Sequence, residues 1–261
     1  MHYGAKPTFH DHRDYDFIKT FGSVAPQFPE SLQTDANLWM PSQNDYEPIF
    51  HNLAMYYGCT DYAQADISTD EDGVLKNPLL LDHITNANAK GGTDIRTSLE
   101  AARSLKWINY YFNIRSKNLD FFDSIRLAII SGQPEKRSVS WGCPWFPSWE
   151  VAALRGESIM PMPTDAEMNV IYALGWHNSK FAGWELKNGS PMLKNKSYQG
   201  TTVGDKGWIY FPREVINVVM SIPGTIAFTV TQSATPPIKL VDSTTLQWLA
   251  SHANIFAKYF Y

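Results

Sequence analysis

Apolar residues recur at helical spacing in two stretches of the first half of the chain. In residues 95–105 they stand three or four positions apart, and Thr93 or Asp94 is placed to cap the first turn. Residues 121–131 repeat the pattern and are followed by Gly132, a residue typical of helix ends. The pattern therefore predicts two amphipathic helices. The apolar positions of the first are Ile95, Leu99, Ala102 and Leu105.

A third helix is predicted to begin at Cys59. Gly58 permits a tight turn, and Thr60 and Asp61 suit a first helical turn. At a helix start, unpaired N–H groups and the helix dipole favour a thiolate. Cys59 is therefore a candidate nucleophile, and the alternative is a buried, inert cysteine.

The second half of the chain is dominated by predicted strands. Residues 169–176 are apolar on both faces and predict a central strand. Residues 138–149 predict a strand and a loop lined by aromatic rings. Further strands are expected at 183–186, 191–193, 208–211 and 225–231, the first two around a Lys187-Asn188-Gly189 turn, and a last helix at 244–261. Helices before strands indicate an α+β fold.

Composition narrows the class of protein. The 261 residues suit one large domain or two small ones, and the net charge of −4 is spread along the chain, which argues against nucleic acid and an anionic membrane as partners. No stretch is long and apolar enough to span a bilayer, and the N-terminus lacks an apolar signal core. We therefore expect synthesis in the cytoplasm without a signal peptide. A bridge between Cys59 and Cys143 is left open, and we expect no cofactor and no metal.

Aromatic residues make up 14% of the chain, including nine tryptophans. Three of them, Trp141, Trp145 and Trp149, fall in the predicted ring-lined loop. They are candidates for a binding surface for a protein partner or a glycan, and the alternative is that they belong to the core.

Six stretches, in order, resemble the papain-like cysteine peptidase family over residues 8–218. Residues 11–17 resemble the entry segment of bacterial and phage members, and residues 58–63 the family's Gly-Ser-Cys-Trp-Ala-Phe-Ala helix start. Residues 91–99 resemble its Gly-Gly helix, 129–134 its Gly-x-Pro entry to the second half, and 169–176 its His-Ala-Val-x-x-x-Gly-Tyr strand. Residues 196–200 with 204–210 resemble its Lys-Asn-Ser-Trp-Gly and trailing Gly-Asp-x-Gly-Tyr.

The resemblance implies a two-lobed fold. One lobe is helical and carries the cysteine helix, and the other is an antiparallel, β-barrel-like lobe. The implied division is a papain-like domain at 1–218, made of a wrapping entry segment (1–50), the helical lobe (51–132) and the β lobe (133–218). A C-terminal extension of a strand and a helix follows at 219–261.

The family's chemistry requires a thiolate, an imidazole that accepts its proton and an amide that orients the imidazole. The resemblance places Cys59 in the nucleophile position, Asn169 in the histidine position and Ser197 in the asparagine position, with Asn52 near the oxyanion position. Asparagine does not titrate near neutral pH and cannot act as the base. His177, expected at the far end of the predicted strand, is a less favoured base, as is His51.

The preferred interpretation is therefore a catalytically inactive papain-like domain that acts as a structural or binding module. The likeness to phage-encoded members suggests a component of a virus particle that contacts other proteins or copies of itself. The alternative is an active cysteine peptidase or amidase that uses Cys59 with a base the sequence does not identify. A third interpretation is glycan binding through the ring-lined loop.

Overall fold

The structure is a computed structural model that describes residues 5–11, 14–21, 27–34, 59–72, 74, 76–86, 92–115, 119–131 and 138–231. For residues 59–62, 71, 72 and 79 it describes the backbone alone. The helices are α1 (Phe17–Phe21), α2 (Cys59–Asp72), α3 (Pro78–Thr85), α4 (Ile95–Ser104), α5 (Phe121–Ser131), α6 (Pro147–Leu154), α7 (Asp165–Met168) and α8 (Arg213–Met220), with a 3₁₀ turn at Ile171–Ala173. The strands are β1 (Tyr15–Asp16), β2 (Leu32–Gln33), β3 (Tyr110–Asn113), β4 (Val139–Pro144), β5 (Trp176–Lys187), β6 (Ser190–Lys196), β7 (Trp208–Phe211) and β8 (Ile226–Thr231).

The strands form one sheet, in the order β1-β3-β8-β4-β5-β6-β7, and β2 pairs with β5. Except for β1 with β3, the pairs are antiparallel. Helices and strands together confirm the α+β prediction. The sheet is open in the part of the chain that the structure describes, so the β lobe is barrel-like without being a closed barrel.

Strand β8 is an interior strand of this sheet, the third in its order. It pairs with β3 through Tyr110↔Thr231 and with β4 through Ser140↔Phe228. Both of its edges are therefore hydrogen-bonded, although it falls in the segment predicted as a C-terminal extension. The domain division at 218 stays a prediction, and the helix predicted at 244–261 lies outside the described residues.

Local signals placed several elements correctly. Helix α4 begins after Asp94, whose side chain accepts a hydrogen bond from the Thr97 N–H at 3.1 Å. Helix α5 covers the predicted residues. Strands β5 and β6 form the predicted hairpin, because Asn188 (φ 54°) and Gly189 (φ 77°) adopt the left-handed conformations of a two-residue turn.

The predicted central strand at 169–176 is wrong. Thr164 and Glu167 form a capping box: the Thr164 side chain accepts from the Glu167 N–H, and the Glu167 carboxylate accepts from the Thr164 N–H. This starts helix α7, and the 3₁₀ turn follows. Val170 and Tyr172 are exposed in this connection, and the strand begins only at Trp176.

The predicted ring-lined loop is also wrong, because its rings lie in the core. Trp141, Trp145 and Trp149 are 0%, 2% and 0% exposed. Trp141 stacks on Phe181 at 4.8 Å between ring centroids and meets Phe211 edge-on at 4.9 Å. The segment after β4 is helix α6 rather than a loop. These rings therefore offer no binding surface, and glycan binding, which the sequence suggested through these rings, stays a prediction.

Replacing Gly183 with alanine should lower the free energy of unfolding by more than about 2 kcal/mol. Gly183 has φ +143°, and a Cβ there would lie 1.9 Å from the Leu32 carbonyl oxygen of strand β2. The matched control is Gly189→Ala, which meets nothing within 4 Å and carries only the strain of φ +77°. Urea unfolding of both variants checks this, and equal losses would contradict it.

Candidate active site

Helix α2 packs against the sheet through polar contacts. Asp70 accepts a hydrogen bond from Lys180 at 3.1 Å. Six residues nearer the N-terminus, Gln64 donates to Ser140 Oγ at 2.5 Å, and Ser140 donates to Asn178 Oδ1 at 3.0 Å. Gln64 is thus linked through Ser140 to the residue that follows His177 on β5. Cys59 begins the helix five residues before Gln64, about 7.5 Å along its axis.

The helix begins at Cys59, as predicted. The Cys59 side chain lies outside the described part of the structure, as do Asn52, predicted near the oxyanion position, and His51. The backbone alone places Cys59 at a helix N-terminus. There the dipole favours a thiolate over a thiol.

His177 is the second residue of β5, and none of its surface is exposed. Its Nε2 lies 2.7 Å from the backbone carbonyl oxygen of Ser197. Because a carbonyl only accepts hydrogen bonds, Nε2 carries the proton and donates it. In a neutral ring Nδ1 is then the unprotonated nitrogen, which can accept a proton.

The ring of His177 is enclosed by the core. The Trp145 ring contacts the His177 ring edge-on, with 4.7 Å between the ring centroids. Cys143, on strand β4, is the direct cross-strand partner of His177. Burial lowers the pKa of His177 to about 4, and the bond to the Ser197 carbonyl acts in the opposite direction. Cys143 is also buried, and burial raises the pKa of its thiol. At neutral pH, His177 is therefore an uncharged base and Cys143 an inert thiol.

Asn169 does not lie on the strand where it was predicted to replace the histidine. It is the exposed C-cap of helix α7. The family's strand pattern has histidine six residues before a Gly-aromatic pair, and both Gly175-Trp176 and Gly183-Trp184 supply such a pair. The structure makes the second pair part of β5, which moves the histidine position by eight residues to His177. That spacing was the sequence signal that could have found His177.

Ser197 follows β6 and is buried, and it meets His177 through its main chain. Within the described residues its hydroxyl oxygen has no hydrogen-bond partner. The contact that Ser197 makes with the His177 ring is thus made by its backbone carbonyl. Its assignment to the asparagine position stays a prediction.

An extended N-terminal segment lies beside this site. The Ala5 N–H donates to the carbonyl of Trp176, the residue before His177, at 3.2 Å. The Lys6 N–H donates to the Thr93 carbonyl at 3.0 Å. The backbone next to His177 therefore holds an extended chain by main-chain hydrogen bonds.

Comparison with known proteins identifies the fold. The structure of xylellain, a cysteine protease from Xylella fastidiosa, is similar, with a TM-score of 0.63 and 13% identity, covering 88% of this chain and 95% of that one. The structure of bromelain from Ananas comosus in complex with the E64 inhibitor has a TM-score of 0.52 and 18% sequence identity. The match covers 78% of this chain and 99% of that one. The structure of digestive procathepsin L 3 of Tenebrio molitor has a TM-score of 0.53 and 13% sequence identity. The match covers 84% of this chain and 76% of that one.

The chain therefore has the two-lobed papain-like fold, as the sequence predicted. No protein-family model matches it, and no curated protein is similar to it in sequence. At these low identities the structural likeness establishes the fold alone. In the part of the chain that the structure describes, no helix is long and apolar enough to cross a bilayer.

The buried ring of His177 should make folding stability depend on pH. Between its ordinary pKa of 6.5 and its folded pKa of about 4, the unfolded chain binds a proton that the folded chain does not. Stability should therefore fall as pH drops through this window, by up to about 3 kcal/mol from this residue. Urea unfolding at several pH values should show a shallower decline for His177→Gln than for the natural protein. Parallel curves would contradict this assignment.

Proposed function

We propose that the protein is a papain-like cysteine hydrolase, a peptidase or amidase, in which Cys59 is the nucleophile and His177 the base. The single observation that carries this is the His177–Ser197 contact: a buried neutral imidazole with Nε2 tied to a carbonyl keeps Nδ1 as a proton acceptor. Helix α2, which begins at Cys59, is linked through Gln64 and Ser140 to Asn178, the residue that follows His177.

The reaction would follow the chemistry of a thiol and an imidazole. Nδ1 of His177 accepts the Cys59 thiol proton, and the thiolate attacks the acyl carbon. The imidazolium then protonates the leaving amine, which leaves a thioester that water hydrolyses. The Ser197 carbonyl supports the charged ring, because its bond to Nε2–H strengthens when the ring is positive.

A peptide is the substrate class that the surroundings favour. Residues 5 and 6 already pair as extended chain with the carbonyls of Trp176, which adjoins His177, and of Thr93. An extended peptide would use the same groups in the manner of an added strand. The N-terminal segment would have to leave before such a peptide could bind there.

The second candidate is the inactive module, with a place in a virus particle among its possible roles. The missing base was the argument for inactivity, and His177 removes that argument. What still favours it is that, among the described residues, the ring is held by a backbone carbonyl, and that the ring is fully buried. The virion role depends on the likeness of the chain to phage-encoded papain-like proteins.

Alkylation of Cys59 by iodoacetamide separates the two candidates. With an imidazole partner, Cys59 should be labelled at pH 6 nearly as fast as at pH 8, whereas an ordinary thiol of pKa 8.5 should slow about a hundredfold over that range. Mass spectrometry of the labelled peptides separates Cys59 from Cys143, which should stay unlabelled in the folded protein. A tenfold loss of rate per pH unit below 8 would overturn the hydrolase proposal and favour the inactive module.

A further inference from the structure

A cluster of charged side chains is buried between helix α2 and the sheet. The side chains of Asp66, Lys180 and Lys196 are fully buried and that of Asp70 is 5% exposed. Lys180 and Lys196 are direct partners on β5 and β6. Asp66 Oδ2 lies 3.2 Å from Lys180 Nζ and 3.0 Å from Lys196 Nζ. The described part of this cluster thus holds two lysines and two aspartates.

Asp66 touches the residues on either side of Ser197. Its Oδ2 accepts a hydrogen bond from the Tyr198 hydroxyl at 2.8 Å, in addition to its contact with Lys196. Ser197, between them, presents its carbonyl to His177. One carboxylate on the cysteine helix therefore holds both neighbours of the group that orients the base.

The backbone at Tyr198 has a conformation that its surroundings must stabilise. Tyr198 has φ 58°, in the left-handed region, where a side chain with a Cβ is destabilised. A residue in this conformation persists when its surroundings fix it. The buried bond from the Tyr198 hydroxyl to Asp66 supplies such a fixed point, one residue from the Ser197 carbonyl.

The charge of Asp66 is stable in this environment. Burial by itself raises the pKa of a carboxyl group, but Lys180 and Lys196 outweigh burial and hold the pKa of Asp66 below its ordinary value. The carboxylate is therefore ionised at neutral pH and is a strong hydrogen-bond acceptor for Lys196 and Tyr198.

We propose that Asp66 is a positioning residue of the active site, which fixes the Ser197 carbonyl against His177 Nε2 through Lys196 and Tyr198. This inference rests on the proposed roles of Cys59 and His177. It explains how the ring is oriented by a backbone carbonyl. The helix that begins with the nucleophile also carries the group that keeps the base in its working tautomer.

The test uses the full chain with Tyr198→Phe, which removes one hydroxyl, and Asp66→Asn, which removes the charge. The matched controls are Tyr172→Phe, at an exposed tyrosine, and Asp70→Asn, in the same cluster but bonded to Lys180 rather than to a neighbour of Ser197. With selective ¹⁵N-histidine labelling, and His177→Gln to assign the signal, the His177 Nε2–H resonance should shift in Tyr198→Phe and in Asp66→Asn. Alkylation of Cys59 at pH 6 should slow roughly tenfold in both, more than at pH 8. The controls should keep the signal and the pH profile of the natural protein.

An unchanged His177 signal and unchanged alkylation profile in folded Tyr198→Phe would overturn the proposal, as would equal effects of Asp66→Asn and Asp70→Asn. If Asp66→Asn does not fold, Tyr198→Phe decides the question. The two proposals fail separately. An ordinary thiol profile in the natural protein would reject the hydrolase, while the Nε2–H resonance would still show whether the Asp66 contacts hold the ring.

Discussion

Replacing His177 with alanine is expected to slow acylation of Cys59 by p-nitrophenyl acetate about a thousandfold at pH 6.5. The physical reason is that Nδ1 of His177 would no longer take the thiol proton, so that only the small thiolate fraction of an ordinary cysteine would react. The measurement is the release of p-nitrophenolate during the first turnover, which needs no knowledge of the natural substrate. Cys59→Ser gives the background to subtract.

The matched control is Asn169→Ala. Asn169 is the residue that the family pattern first placed in the histidine position, but it is the exposed C-cap of helix α7, eight residues before His177 and outside the strand that carries it. Its replacement should leave the acylation rate within about twofold of the natural protein, as for a surface change away from the site. Equal rates for His177→Ala and the natural protein would show that the imidazole does not activate Cys59.

Replacing Trp141 with alanine is expected to lower the free energy of unfolding by about 3–5 kcal/mol. Trp141 is fully buried at the centre of the β lobe, where its ring contacts Phe181, Phe211 and Trp149. Its removal leaves a cavity that stiff neighbouring rings cannot fill. Denaturant unfolding monitored by circular dichroism measures the loss.

Tyr172→Ala is the control for Trp141→Ala, because it also removes an aromatic ring but from a side chain that is 65% exposed. Its effect should stay within about 0.5 kcal/mol. Comparable losses from the two variants would mean that the buried rings do not carry the stability of the β lobe.

Elements with strong local signals were predictable from the sequence. Helix α4 has a periodic apolar face and the Asp94 cap, and the β5–β6 hairpin has Asn188-Gly189 at its turn. In these cases the residues that decide the conformation lie within a few positions of one another. Propensity and capping then agree with the tertiary structure.

The register of the candidate site was not predictable in the same way. Two Gly-Trp pairs fit the family pattern, Gly175-Trp176 and Gly183-Trp184. The apolar run before the first pair is typical of a buried strand and therefore favours the wrong register. The capping box of Thr164 and Glu167 is a competing local signal, which starts helix α7 just before this apolar run. Choosing correctly meant weighing the cap against the apolar run, since both patterns are short.

The buried charges were missed for a different reason. Lysine is almost never fully buried unless it is paired with an opposite charge. From the sequence alone, Lys180 and Lys196 are therefore expected at the surface. Their partner Asp66 is more than a hundred positions away along the chain. Only the tertiary structure brings such pairs together, and the same is true of the Ser197 carbonyl and His177.

The interior position of β8 has a consequence for how the protein is made. During translation, β3 and β4 leave the ribosome long before their common partner at Ile226–Thr231 exists. Until then both present unpaired edges, which favour aggregation and pairing with other chains. The order of synthesis and the order of assembly therefore differ, and a nascent chain that stalls before this strand is the species most in need of a chaperone.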